Sequence, residues 1–101
     1  MNDAVMRLVK AIRELACPSG ILLYGAKQDL AETDGLKEIN LCLIVEEDPS
    51  GVEQKLYRSL ESDLAFNLLV YERKAWQTLV TDDTSYAAGI ARKGILLYGT
   101  A

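Results

Sequence analysis

The sequence predicts an α/β (α+β) domain, a small mixed sheet with helices packed on it. Three observations lead there. Apolar residues recur at the helical period in some stretches. Elsewhere they form short continuous runs of strand length, bounded by glycine or polar residues. The two kinds of stretch alternate along the chain, which calls for a sheet covered by helices on at least one face. The 101 residues, half of them apolar, suit a single domain, 1–101, with a core that needs no disulfide or metal.

Ala4 to Ala16 reads as the first helix. Val5, Leu8, Val9, Ile12 and Leu15 make one stripe, Asp3 is the expected N-cap and Pro18 the stop. Gly20 to Gly25 is an apolar run between glycines, expected as a buried strand. Lys27 to Lys37 is polar, with Asp34-Gly35 as a turn signal. Glu38 to Glu46 reads as a second strand, half-polar at its start and fully buried later.

Asp48 to Gly51 breaks that strand. Ser50 and Glu53 have capping-box spacing, and Val52, Leu56, Leu60 and Leu64 continue as a helix stripe. Phe66 to Tyr71 is a third strand. Two short helices follow, near Lys74–Val80 and Ser85–Lys93, with Gly94 capping the second. Ile95 to Tyr98 is a fourth strand. The hexapeptide Gly-Ile-Leu-Leu-Tyr-Gly occurs at 20–25 and at 94–99, which reads as two buried strands built from the same common residues.

Composition excludes several chemistries. There is no histidine, so no Ser-His-Asp triad, Cys-His pair or His-bearing zinc site can form within the chain. A net charge of −4 argues against direct DNA binding through phosphate neutralisation. Cys17 and Cys42 match no zinc spacing and read as structural, Cys42 as a small buried hydrophobe. The amphipathic N-terminal stretch has no continuous apolar run of the kind a signal peptide or spanning helix needs, so a cytoplasmic protein with no membrane partner is expected.

The sharpest signal lies between Ile21 and Val45. A buried strand ends at Gly25, Lys27 supplies a cation, and the next strand opens Glu38-Ile39-Asn40. Strand alternation puts Glu38 and Asn40 on one face. The third strand opens Phe66-Asn67, again with a lone polar residue before an apolar run.

This layout resembles the minimal nucleotidyltransferases of the polymerase-beta-like superfamily, over about residues 4 to 99. Their Gly-Ser appears here as Gly25-Ala26, the basic position after it as Lys27, and their Asp-x-Asp as Glu38-Ile39-Asn40. The third Asp, after Phe, appears as Asn67, and the closing Gly-apolar-apolar-Tyr strand as Gly94 to Tyr98.

The resemblance implies a nucleotidyltransferase fold. In that family three carboxylates hold Mg²⁺ against a nucleoside triphosphate such as ATP. The matching positions here are Glu38, Asn40 and Asn67, which offer one anionic ligand and two amides, so Glu38 is a weak metal ligand at best. Gly25, Ala26 and Lys27 match the phosphate-binding positions; Ala26 lacks the hydroxyl. The connection to Glu38 is about one residue longer than the family's, has Asp29 and Leu30 in the region of the family's Arg-Gly, and carries Glu32 and Asp34, which oppose a triphosphate.

Two functions follow as expectations. One is a non-catalytic member acting through a protein partner or by weak nucleotide binding. Family members of this size often pair as antitoxin with a small helical HEPN-type protein, and homo-oligomerisation is a further possibility. The other is an active Mg-dependent enzyme moving a nucleoside monophosphate from NTP to a hydroxyl.

Overall fold

The computed structural model describes residues 3–25, 38–62 and 64–101. The elements are α1 (Asp3–Ala16), β1 (Gly20–Tyr24), β2 (Glu38–Val45), α2 (Pro49–Ser59), β3 (Ala65–Glu72), α3 (Arg73–Leu79), α4 (Tyr86–Lys93) and β4 (Ile95–Gly99). The expected order of helices and strands is therefore present. Asp3 lies within the first turn of α1 rather than before it.

The four strands form one mixed sheet in the order β3-β2-β1-β4. β1 runs antiparallel to both β2 and β4. β3 runs parallel to β2, which requires a crossover, and α2 supplies it.

Strand alternation divides the core into two layers. Ile21, Leu23, Ile39, Leu41, Leu43 and Leu68 face one side and bury the α1 stripe, Val5, Leu8, Val9 and Ile12, together with Leu56 of α2. Leu22, Cys42 and Ile44 face the other side, against Trp76 of α3 and Ala87 and Ile90 of α4. Helices thus cover both faces. Removing these side chains from water is the main stabilising term of such a sheet, at about 25 cal/mol per Å² of apolar surface.

Local chemistry sets the ends of the helices, not always as the sequence pattern suggests. α2 is capped by Asp48, not by a Ser50–Glu53 box. Asp48 sits in the left-handed region (φ 53°), its Oδ1 accepts the Gly51 N–H at 3.2 Å, and Pro49 opens the helix. Ser50 is already helical, so its side chain is not at the capping position. Leu60 turns extended and ends the helix. Leu64 therefore lies outside α2, buried on the approach to β3, with its N–H donated to Ser62 Oγ at 3.0 Å. Ser85 caps α4 by accepting the Ala88 N–H at 3.0 Å. Gly94 ends α4 with ordinary backbone angles; its glycine is required by space, since a Cβ would lie 2.6 Å from the Ile90 carbonyl oxygen.

Cys17 is exposed; it holds φ 46° after α1 and donates its N–H to the Arg13 carbonyl at 3.1 Å. One further expectation needs correction. β4 is not a buried strand like β1. It is the terminal strand of the sheet, with Ile95 and Leu96 exposed.

Candidate functional site

The parallel register of β2 and β3 sets Asn40 directly opposite Asn67 and Glu38 opposite Ala65. Residues two apart on a strand share a face, so Glu38, Asn40 and Asn67 converge on the α3/α4 side of the sheet, where their contacts are exposed. The Asn67 amide donates twice, to Glu38 Oε1 at 2.6 Å and to Asn40 Oδ1 at 3.1 Å. The sequence expected these three to meet, and they do.

Gly25 closes the row. β1 pairs with β2 so that Tyr24 faces Asn40, and Gly25 follows with φ 106°. A Cβ on Gly25 would lie 2.8 Å from Asn40 Nδ2. The backbone angle is what favours glycine here, because the Asn40 amide is a side-chain end that a Cβ can push aside. Ala26 and Lys27, expected to border the same cleft, lie outside the described residues, as do the loop acids Asp29, Glu32 and Asp34.

The donor set fits Mg²⁺ poorly. Mg²⁺ asks for a near-octahedral shell of hard oxygens, helped most by carboxylates. Glu38 is the one carboxylate of the cluster, and its Oε1 is engaged by an amide. Asn67 turns its N–H₂, not its oxygen, towards the other two side chains. Among the described residues no group of three His, Cys, Asp or Glu side chains could hold a metal. Glu46 and Glu72 stand at the opposite ends of their strands; Glu46 pairs with Arg73 at 2.6 Å there.

Beside Gly25 lies an open cavity of about 680 Å³, bordered by Tyr24 of β1 and the Gly25 that follows it and by Asp83, Ser85, Tyr86, Arg92 and Lys93 around α4. Tyr24 and Tyr86 meet edge to face, with centroids 6.0 Å apart. Burial, with Tyr86 adding to it, pushes the Tyr24 phenol up to about 12, so it is a neutral hydrogen-bonding group at physiological pH. The sequence reading passed over these residues. The available signals were the strand-end position of Tyr24 beside Gly25 and the paired cations closing α4. What the arrangement offers chemically is binding: two phenol rings, two cations and the Asp83 carboxylate, which pairs with Arg92 at 3.9 Å, around an open hollow.

No helix among the described residues is long and apolar enough to cross a membrane. No protein-family model matches the chain, and no curated protein matches it.

Proposed function

We infer that the chain is a nucleotidyltransferase-type domain that has exchanged catalysis for binding and acts in the cytoplasm through a protein partner. The observation that carries this reading is the Glu38–Asn67–Asn40 cluster. Its position at neighbouring strand ends beside Gly25 is what a metal-dependent transferase would need. Its side chains instead satisfy one another. An amide N–H₂ holds the oxygens that a cation would otherwise draw together, so the cluster keeps its shape without metal. The partner best suited to a chain of net charge −4 is a small basic helical protein of HEPN type, with this chain as its antitoxin. The cavity bordered by Tyr24 and Arg92 supports weak nucleotide binding beside that role.

The test is calorimetric titration of the purified protein with Mg²⁺ and with ATP. The expected result is no saturable Mg²⁺ site at millimolar concentration. Tight stoichiometric Mg²⁺ binding that Glu38→Ala abolishes would overturn this reading and favour an active nucleotidyltransferase.

A further inference from the structure

The hexapeptide Gly-Ile-Leu-Leu-Tyr-Gly stands at 20–25 and again at 94–99, and the fold brings its two copies together. They are neighbouring antiparallel strands, with Gly20 opposite Gly99 and Ile21 opposite Tyr98. The first position of one copy faces the sixth of the other, and the second faces the fifth. In this register the peptide is its own complement. A bulge between Ile21 and Leu22 then shifts the pairing by one, setting Leu22 opposite Leu96 and Leu23 opposite Ile95. The end glycines permit the close approach: a Cβ on Gly20 would lie 2.1 Å from the Thr100 carbonyl oxygen, and one on Gly99 2.0 Å from that of Ser19.

Both edges of β1 are paired, but among the described residues β4 is paired on one edge only. Its residues, Ile95 to Gly99, include no charge and no proline. Ile95 is 37% and Leu96 47% exposed. Proteins usually blunt such an edge with charge, proline or a covering side chain. The opposite edge of this sheet shows the usual treatment: Tyr57 of α2 accepts the Leu68 N–H of β3 through its hydroxyl at 2.8 Å, and its ring stacks on Phe66.

We propose that the outer edge of β4 pairs with β4 of a second copy of this chain, antiparallel about a two-fold axis, so that two four-stranded sheets become one. What selects a second copy is the sequence itself, which already forms this antiparallel pair within the chain. Charge agrees. With Leu96 opposite Leu96 of the other copy, as Leu22 stands opposite Leu96 within the chain, every pair from Gly94 to Tyr98 is uncharged, and Lys93 falls opposite Gly99 of the other copy rather than its own counterpart. A two-fold contact of this kind closes at two copies. Five residues of strand span roughly 17 Å. That is a short contact beside the ~800 Å² per partner of a standard interface, so the dimer is weak and concentration-dependent. The proposal does not rest on the nucleotidyltransferase reading.

Sedimentation velocity on the full chain, from micromolar to millimolar concentration, tests it. The mass is expected to rise from 11.2 kDa towards twice that value. Leu96→Lys puts two like charges at the axis and is expected to hold the chain at monomer mass, with unchanged circular dichroism. An equal mixture of the Leu96→Lys and Leu96→Glu chains is expected to recover the dimer. On the unaltered chain, amide exchange at Ile95 to Gly99 is expected to slow as concentration rises. Monomer mass throughout, a dimer indifferent to Leu96→Lys, growth beyond two copies, or β4 exchange independent of concentration would each overturn the proposal.

Discussion

Asn67 donates its amide N–H to Glu38 Oε1 at 2.6 Å, across the parallel ladder between β3 and β2. This contact ties the starts of the two strands together in the way a shared metal would. Changing Glu38→Asp, Asn40→Asp and Asn67→Asp together adds two negative charges and removes the amide donors. In EDTA the triple variant should melt below the parent, because like charges at this spacing repel. With Mg²⁺ its melting temperature should climb with concentration by mass action, while the parent stays flat. Thermal melts at a series of Mg²⁺ concentrations check this; a triple variant indifferent to Mg²⁺ removes the transferase reading of these positions.

Core energetics separate the layers of the sheet. Leu23 and Leu43 are buried against the α1/α2 side, and each Leu→Ala should cost about 2–5 kcal/mol. Leu69 is only partly buried, on the other side, so Leu69→Ala should cost less than about 2 kcal/mol. Urea melts measure all three; a Leu69→Ala loss equal to that of Leu43→Ala would contradict the assigned burial.

The α2 cap gives a stereochemical test. Asp48→Ala loses the bond to Gly51 N–H and keeps a Cβ at φ 53°, so it should destabilise by about 0.5–2 kcal/mol. Asp48→Gly loses the same bond but accepts the backbone angle freely, so it should cost less. Ser50→Ala should be near neutral. The order of the three melting temperatures is the measurement.

The two thiols should behave differently. Cys17 is exposed and should react with a thiol reagent in the native state; Cys42 is buried and should react only on unfolding. Burial pushes the Cys42 thiol from 9.0 up to about 12. The folded state thus holds that proton where the unfolded chain releases it, and stability should be full below pH 9 and fall as pH rises towards 12. Tyr24, raised from 10.0 to about 12, adds to the same alkaline loss. Urea melts across this window should show a smaller decline for Cys42→Ala.

The elements were legible because each helix or strand carries its own period. The Val5-Leu8-Val9-Ile12 stripe became the buried side of α1, and the polar openings of β2 and β3 met as expected. Leu64 misled because it prolongs the α2 stripe at the right spacing, yet it is buried from a loop after Leu60 has turned extended. The capping pattern at Ser50 and Glu53 competed with Asp48-Pro49, whose fixed proline geometry starts the helix earlier. The exposure of β4 was hidden because an apolar run carries no mark of its place in the sheet, and Ile-Leu-Leu-Tyr is central in one copy and terminal in the other. The α4 cavity joins elements distant in sequence, so Tyr24 beside Gly25 and the cations closing α4 were each visible, but not that they meet.

Trp76 is the chain's one tryptophan, and it lies in the α3/α4 layer with its ring 5.3 Å from that of Tyr71. Intrinsic fluorescence therefore watches one side of the sheet, while far-ultraviolet circular dichroism sums over all four helices. A denaturation followed by both signals distinguishes a sheet whose two coats are shed together from one that sheds α3 and α4 first.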